Sequence, residues 1–454
     1  MLTPMSIFGH IRAIAILGLP LIGGHLAQIA IGVTDTVMLG WYGVEALAAG
    51  TLASTYFFIL FIFGSGFAWA VMPMVASFSA EGDQTSIRRA TRMGLWLSFG
   101  FATLVLPVMI FAAPILRLLG QGDAVVALGA DYLAVAGWGI LPALFVMVLK
   151  SYLAALERTQ VVLWITVLAA VTNALVNYAL IFGNWGAPEL GIIGAAVASL
   201  STQVVSLVGV VVYVRVILPE HDLFRRIWAV DRDMLARVFS LGWPISITSL
   251  SETGLFAASA VMMGWLGTVP LAAHGIAMQF TAMTFMVHLG LSNAATVRAG
   301  NAYGRSDPQH LARGAWIVTV MSLAFSVLTV VMFVLFPEFF ISIFILDGEP
   351  ARAEIISIGV VLLFMAGLFQ LADGSQAIAL GTLRGVQDTR LPMVITAFSY
   401  WVVGVPVAYV LGFVLELEGI GIWGGLALGL AVAAVLLNWR FWFRVLPGVA
   451  RKAP

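Results

Sequence analysis

The sequence contains no cysteine and little charge. With no cysteine among the 454 residues, disulfide bonds and cysteine metal sites are excluded. Charged residues make up 10% of the chain and hydrophobic residues 61%, whereas a soluble protein is about one quarter charged and about half apolar. The composition therefore indicates a membrane protein.

A phosphate-binding loop is also absent. Lys150-Ser151 is the only Lys-Ser pair, and the apolar residues Met147-Val148-Leu149 precede it where such a loop requires glycines. No polar stretch is long enough to form a nucleotide-binding domain. We therefore expect neither nucleotide nor nucleic acid as a partner, and any transport must draw on an ion gradient.

Twelve apolar runs are long enough to cross a bilayer, which takes about 20 mostly apolar residues. The first run is too long for a signal peptide and lacks a clear small-residue cleavage site. The predicted spans are 12–39, 46–72, 93–118, 126–149, 160–183, 191–214, 239–266, 270–297, 314–346, 354–382, 391–415 and 420–443.

Basic residues are distributed unequally between the two sides of the predicted membrane. Twenty of the 22 Lys and Arg residues, including Lys452, fall on one side, and only Arg117 and Arg352 fall on the other. Cytoplasmic loops carry the excess of positive charge. We therefore expect a multi-pass membrane protein with both termini in the cytoplasm.

The chain contains an internal duplication. A single gapless alignment of the chain with itself matches LGLP at 17–20 with LGWP at 241–244, and MLGW at 38–41 with MMGW at 262–265. We predict an all-α fold with a six-helix lobe at 1–218, a cytoplasmic linker at 219–237 and a second six-helix lobe at 238–454. Because six is even, both lobes enter the membrane in the same direction, and a pseudo-twofold axis along the membrane normal should relate them.

Pro20 and Pro244 occupy matching positions inside the first helix of each lobe. A proline inside a helix removes a backbone hydrogen bond and permits a kink. Each is therefore a candidate hinge, and a packing bend without motion is the alternative.

Three carboxylates lie within predicted spans, namely Asp35, Glu252 and Asp373. A charge near the bilayer centre costs roughly 2.5–3.5 kcal/mol on insertion scales, which marks such a residue as functional by default. No Lys or Arg lies deep in a span to neutralise them. Each is therefore either protonated or balanced by a bound cation, and a permanently protonated acid that joins two helices is the structural alternative.

Oxygen donors accompany the two carboxylates of the second lobe. Ser249, Phe256 and Ser259 share the helix face of Glu252, and Phe369, Gln370 and Gln376 lie one turn from Asp373. Carboxylate, amide and hydroxyl oxygens are ligands that suit hard cations. Na⁺ at Glu252 and Asp373 is therefore one hypothesis, and a proton is the other.

A second polar cluster is predicted in the first lobe. Asn173 and Asn177 lie at a depth comparable to that of Asp35, as do Ser199 and Thr202. These residues could line a substrate cavity or simply hold helices together. His274 and His288 are about 21 Å apart along one helix, too far to share a metal ion.

The chain resembles the multidrug and toxic compound extrusion (MATE) family, and most closely its NorM-type branch. The resemblance runs nearly end to end and is most specific in four stretches: GVTDTVM at 32–38, Pro244 followed by Glu252, QLADGSQ at 370–376, and GTLRGVQDT at 381–389.

The resemblance implies an antiporter, not an enzyme, that exports cationic amphipathic drugs in exchange for Na⁺ or H⁺ by alternating access. It implies a cation site in the second lobe at Glu252 and Asp373, beside an aromatic position that is often Tyr and is Phe369 here. Other branches of the family place coupling at positions matching Asp35, Asn173, Asn177 and Thr202, with Pro20 as the bending proline. We expect a monomer without a cofactor other than the coupling ion.

Three alternatives remain open at this point. A lipid-linked precursor flippase of the same superfamily would need basic residues within the spans, to bind polyanionic cargo. An intramembrane enzyme would need a metal site or a nucleophile–base pair at helical spacing. A passive channel would need a pore-lining ring of charges.

Overall fold

The computed structural model describes residues 5–118, 120–345, 348 and 350–451. Lys452, which the charge distribution assigns to the cytoplasm, lies outside the described residues. Within these ranges the chain is helical, without a β-strand.

Six long helices form in the first half of the chain, as predicted, together with a short helix at Ala113–Leu118. Gly137–Gly139 forms a 3₁₀ turn inside the fourth of them. The six are α1 (Ile7–Tyr42), α2 (Val44–Glu81), α3 (Gln84–Ile110), α4 (Asp123–Ala155), α5 (Thr159–Phe182) and α6 (Ile192–Ile217).

Six more long helices form in the second half, with a short helix at Pro337–Ser342. The last two of them, α11 and α12, contain π-helical turns at Ser399–Gly404, Val410–Val414 and Phe441–Val445. The six are α7 (Arg232–Leu266), α8 (Thr268–Gly304), α9 (Pro308–Leu335), α10 (Arg352–Gly385), α11 (Arg390–Val414) and α12 (Glu418–Ala450).

Eleven of these twelve helices are long and apolar enough to cross a bilayer, counted over the described ranges. The twelfth, α8, has 37 residues and is therefore also long enough. It is more polar because it contains His274, Gln279, His288, Asn293, Arg298 and Asn301.

Packing divides the chain at points that differ from the limits of the sequence repeats. One compact unit consists of Met1–Ile22 and Ile247–Pro454, and the other of Gly23–Ser246. The two division points, after Ile22 and after Ser246, fall at equivalent positions of the two repeats. Each lies two residues beyond the proline inside α1 or α7. The start of each of these helices therefore packs with the other half of the sequence.

A glycine contact fixes the start of α7 on α2. A Cβ atom built on Gly66 would overlap Oγ of Ser246 and lie 2.6 Å from the carbonyl oxygen of Gly242. The Ser246 hydroxyl donates a 2.6 Å hydrogen bond to the Phe63 carbonyl. Small residues allow helix backbones to approach closely in membrane proteins. The matching contact, between the start of α1 and α8, joins Ile22 to Gly290.

The linker between the repeats is held on the start of α3. Arg89 forms an ion pair with Asp231, and Arg92 donates a 2.7 Å hydrogen bond to the Leu223 carbonyl. The Trp96 indole donates to the Ile227 carbonyl at 2.8 Å. The hydrogen bond from Arg89 lowers the pKa of Asp231 below its ordinary value.

Candidate functional site

Two of the three intramembrane carboxylates lie near each other in the second half of the chain. Glu252 on α7 and Asp373 on α10 lie within electrostatic range of each other. Gln376, one turn beyond Asp373, brings its amide within reach of Glu252. Asp373 and Gln376 are each only 1% exposed, whereas Glu252 is half-buried. The predicted group of Glu252, Asp373 and Gln376 is therefore a spatial cluster in a poorly solvated environment.

Two further residues join this cluster that the sequence did not indicate. Arg384 lies near the end of α10, within electrostatic range of Glu252. Tyr400 on α11 is fully buried and lies within range of Glu252, Asp373 and Arg384. Arg384 follows Asp373 by about three helical turns, so its spacing could have placed it on the same face. Tyr400 carries no comparable signal, because it lies on a different helix.

Several polar atoms around the cluster are buried without a hydrogen-bond partner of good geometry among the described residues. They are Oδ1 of Asp373, both amide atoms of Gln376, the hydroxyl of Tyr400 and Oγ of Ser399. Leaving such a group unsatisfied costs about 1–3 kcal/mol. The donor set is rich in oxygen and contains two carboxylates, so it suits a proton or a hard cation.

Aromatic side chains pack against one another next to the cluster. Phe369 is fully buried and packs edge-to-face with Phe256, at 6.0 Å between ring centroids, and with Trp423 at 5.8 Å. The Trp423 indole donates a 3.1 Å hydrogen bond to Nδ1 of His274. His274 thus packs in the core of this half. Ser249, three residues before Glu252, is buried on α7.

Gln370 faces away from the carboxylates into a separate buried network. Its Oε1 lies 3.1 Å from Nε2 of His288, and Nδ1 of His288 lies 2.8 Å from the Ser322 hydroxyl. Gly374 makes room for this histidine, because a Cβ there would lie 2.7 Å from Cε1 of His288. His288 therefore secures α10 on the side opposite Glu252.

Asp35 meets both predicted asparagines in the first half of the chain. The amide groups of Asn173 and Asn177 donate to the same oxygen of Asp35, at 2.9 and 2.6 Å. Both asparagines are fully buried. Tyr132, which the sequence did not indicate, also lies within electrostatic range of Asp35.

The hydroxyl residues of α6 have other partners. Thr202 donates a 2.7 Å hydrogen bond to the Ala198 carbonyl of its own helix. Ser199 lies 3.2 Å from the Tyr132 hydroxyl. Thr202 is therefore buried, and its hydroxyl donates to the backbone of its own helix.

The two halves of the chain each match the family model MatE, over residues 20–179 and 244–410. The chain belongs to the MatE family. The matched segments begin at the prolines of α1 and α7, which are equivalent positions of the internal repeat.

MatE relatives cover nearly the whole chain. A protein of Rhizobium meliloti named "Probable multidrug resistance protein NorM" is 45% identical over 443 residues, which is 97% of this chain and 95% of that protein. A protein of the same name from Agrobacterium fabrum is 44% identical, over 96% of this chain and 94% of its own length.

Solved structures share the MatE fold. The crystal structure of a MATE protein in the bent conformation superposes with a TM-score of 0.89 at 20% identity, covering 98% of this chain and 97% of that one. The eukaryotic MATE transporter AtDTX14 gives a TM-score of 0.87 at 17% identity and covers 98% of both chains.

These comparisons confirm the predicted family and branch, and the all-α fold with two six-helix halves. A multi-span membrane protein of this family is a transporter, so the intramembrane enzyme is excluded.

Proposed function

We propose that this MatE protein is a cation-coupled multidrug efflux antiporter. It exports cationic, amphipathic compounds in exchange for Na⁺ or H⁺ by alternating access. The relatives named as probable multidrug resistance proteins, which match nearly the whole chain, support drug export.

The observation that carries the coupling mechanism is the approach of Glu252 to Asp373 inside an apolar bundle. Two carboxylates at such a site repel each other, so either a proton is held by one of them or a cation is shared by both. Gln376 supplies a neutral amide beside Glu252. Entry of the coupling ion from outside therefore stabilises the cluster, and its release to the cytoplasm makes the cluster available again.

An ion gradient drives drug export only if the ion and the drug favour different states. Each charge moved across about 100 mV supplies roughly 2.3 kcal/mol. This energy drives drug export when the ion and the drug exclude each other or bind opposite conformations. Pro20 and Pro244 are the proposed hinges, because each interrupts a helix just before the chain passes from one compact unit to the other.

The first-half cluster is the proposed contact for the cationic drug. Asp35 provides one carboxylate, held by the amides of Asn173 and Asn177. With Thr202, these groups form a buried polar cluster in which Asp35 supplies the acidic side chain. The carboxylate of this cluster would attract a monovalent organic cation.

We further propose that the protein is a monomer in a bacterial inner membrane, with both termini and the 219–237 linker in the cytoplasm. The unequal distribution of Lys and Arg supports this orientation. No cofactor is required beyond the coupling ion.

The experiment is efflux of a fluorescent organic cation from reconstituted vesicles, with the Na⁺ and pH gradients imposed separately. We expect at least one inward gradient to drive export and its collapse to stop export. Export that ignores both gradients would refute coupling. Movement of a lipid-linked precursor instead of the dye would favour the flippase alternative.

A further inference from the structure

A widened turn of α11 lies beside the carboxylate cluster. Residues Ser399–Gly404 form a π-helical turn, and the backbone N–H of Val405 bonds to the carbonyl of Tyr400 five residues earlier. π-Helical turns are rare and are frequently found at functional sites. The residue that this turn presents to the bundle is Tyr400.

Two glycines hold the widened turn against α12. A Cβ atom on Gly429 would lie 2.9 Å from Cα of Gly404 and 3.1 Å from the carbonyl oxygen of Ser399. The backbones of α11 and α12 therefore meet here because both positions lack a side chain. This contact fixes the position of the turn.

The other side of the turn packs on α7 beside Glu252. A Cβ atom on Gly254 would lie 2.7 Å from Cζ2 of Trp401, and one on Gly404 would lie 3.5 Å from Cδ1 of Leu255. Gly254 and Leu255 follow Glu252 by two and three residues. The turn is therefore anchored on the segment of α7 that carries the carboxylate.

Tyr400 is fully buried between these contacts, and its hydroxyl has no hydrogen-bond partner among the described residues. Oδ1 of Asp373 and the amide of Gln376 are also buried without a hydrogen-bond partner among the described residues. The charged groups around the hydroxyl are Glu252, Asp373 and Arg384. A phenolic oxygen can donate to a carboxylate or act as a ligand to a cation.

We propose that Tyr400 is a cation ligand of the coupling site and sets its preference for Na⁺ over H⁺, an inference that rests on the proposed function. Hard cations require several oxygen ligands, whereas a proton requires only one carboxylate oxygen. Glu252 and Asp373 supply charge, and Gln376 and Tyr400 supply neutral oxygens. Phe369, next to the same site, offers only a ring. Loss of the Tyr400 hydroxyl therefore weakens Na⁺ binding and leaves proton coupling in place.

The first test compares Na⁺ binding by the wild type and by Tyr400→Phe, which removes a single oxygen atom. Binding is measured as thermal stabilisation of the purified protein by NaCl relative to choline chloride. We expect Tyr400→Phe to need about tenfold more Na⁺ for half-maximal stabilisation, the effect of losing one contact to a charged group. Tyr409→Phe makes the same change at a position of α11 that is 49% exposed, and should bind Na⁺ as the wild type does.

The second test moves the turn without altering a polar group. Gly429→Ala should also raise the Na⁺ requirement, because its Cβ displaces Ser399 and Gly404. Gly448→Ala is the control on α12, since among the described residues no atom beyond its own helical backbone lies within 4 Å of its Cβ position. In vesicles, Tyr400→Phe should retain efflux driven by a pH gradient.

The outcomes separate this inference from the proposed function. Wild-type Na⁺ affinity in Tyr400→Phe overturns the role of Tyr400 and leaves ion coupling intact. The role of Tyr400 is also overturned, and ion coupling again left intact, if Na⁺ does not stabilise the wild-type protein while a proton gradient drives its efflux. Failure of both gradients to drive wild-type efflux refutes the proposed function itself.

Discussion

Gly290 on α8 lies directly against Ile22 on α1. A Cβ atom at Gly290 would overlap Cγ1 of Ile22 and lie 2.9 Å from its backbone nitrogen. The contact between Gly66 and Ser246 repeats this arrangement, because Gly66 is the repeat equivalent of Gly290 and Ser246 that of Ile22. Each compact unit therefore contains a glycine crossing that joins helices from different sequence repeats. If alternating access moves the two sequence repeats against each other, these crossings open during transport.

A disulfide across the α1–α8 crossing should stop transport. Cβ atoms at Gly18 and Ala294 lie 3.9 Å apart, close to the mean of about 3.8 Å for a disulfide. The chain has no cysteine of its own, so Gly18→Cys with Ala294→Cys gives a single defined pair. We expect oxidation to abolish dye efflux from vesicles and reduction to restore it.

The single-cysteine variants, treated with the same oxidant, are the controls and should remain active. Efflux at the wild-type rate by the fully crosslinked protein would show that α1 and α8 stay together during transport.

Filling the other crossing should lower stability. In Gly66→Ala the new methyl group would overlap Oγ of Ser246 and lie 2.6 Å from a backbone carbonyl, and such overpacking costs about 1–3 kcal/mol. Gly100→Ala on α3 is the matched control, because no atom lies within 4 Å of its Cβ position. Thermal unfolding in detergent should show a lower midpoint for Gly66→Ala alone, and equal midpoints would refute the close crossing.

The two acidic sites should differ in their response to Na⁺. Asp35 is a lone carboxylate held by two amides, whereas Glu252 has a second carboxylate nearby. We expect Glu252→Gln to abolish Na⁺ binding and Asp35→Asn to weaken it less, as measured by Na⁺-dependent thermal stabilisation. Loss of Na⁺ binding in Asp35→Asn with full binding in Glu252→Gln would place the cation site in the first half instead.

The proposed orientation makes a separate prediction about accessibility. Gln121 and Ala229 lie in connections at opposite ends of the helices, before α4 and after α6. In intact cells, an impermeant thiol reagent should label Gln121→Cys from outside and spare Ala229→Cys. The reverse pattern would mean that the 219–237 linker is external.

Sequence periodicity was sufficient to predict the helices, the repeat and the buried carboxylates. Each depends on a local signal, because apolar runs of the right length define spans and a carboxylate within such a run is costly. Glu252, Asp373 and Gln376 could be grouped because two of them share one helix face and the third lies in the same repeat.

Features that depend on contacts between distant segments could not be predicted in this way. The packing of Met1–Ile22 with the second half follows from the glycine at position 290, which reads in sequence as an ordinary helical residue. Tyr400 lies within electrostatic range of the carboxylates, on a π-helical turn that the Gly404–Gly429 contact holds in place. The hydrophobic pattern of α11 predicts neither the π-helical turn nor the Gly404–Gly429 contact.

The central claim is that Glu252 and Asp373 couple an ion gradient to export, and the double variant Glu252→Gln with Asp373→Asn tests it most directly. Both substitutions preserve side-chain size while removing the charge. Dye efflux and dye binding should be measured on the same reconstituted preparation. The account predicts retained dye binding and no gradient-driven efflux, whereas gradient-driven efflux at the wild-type rate would contradict it and leave the two carboxylates a structural role.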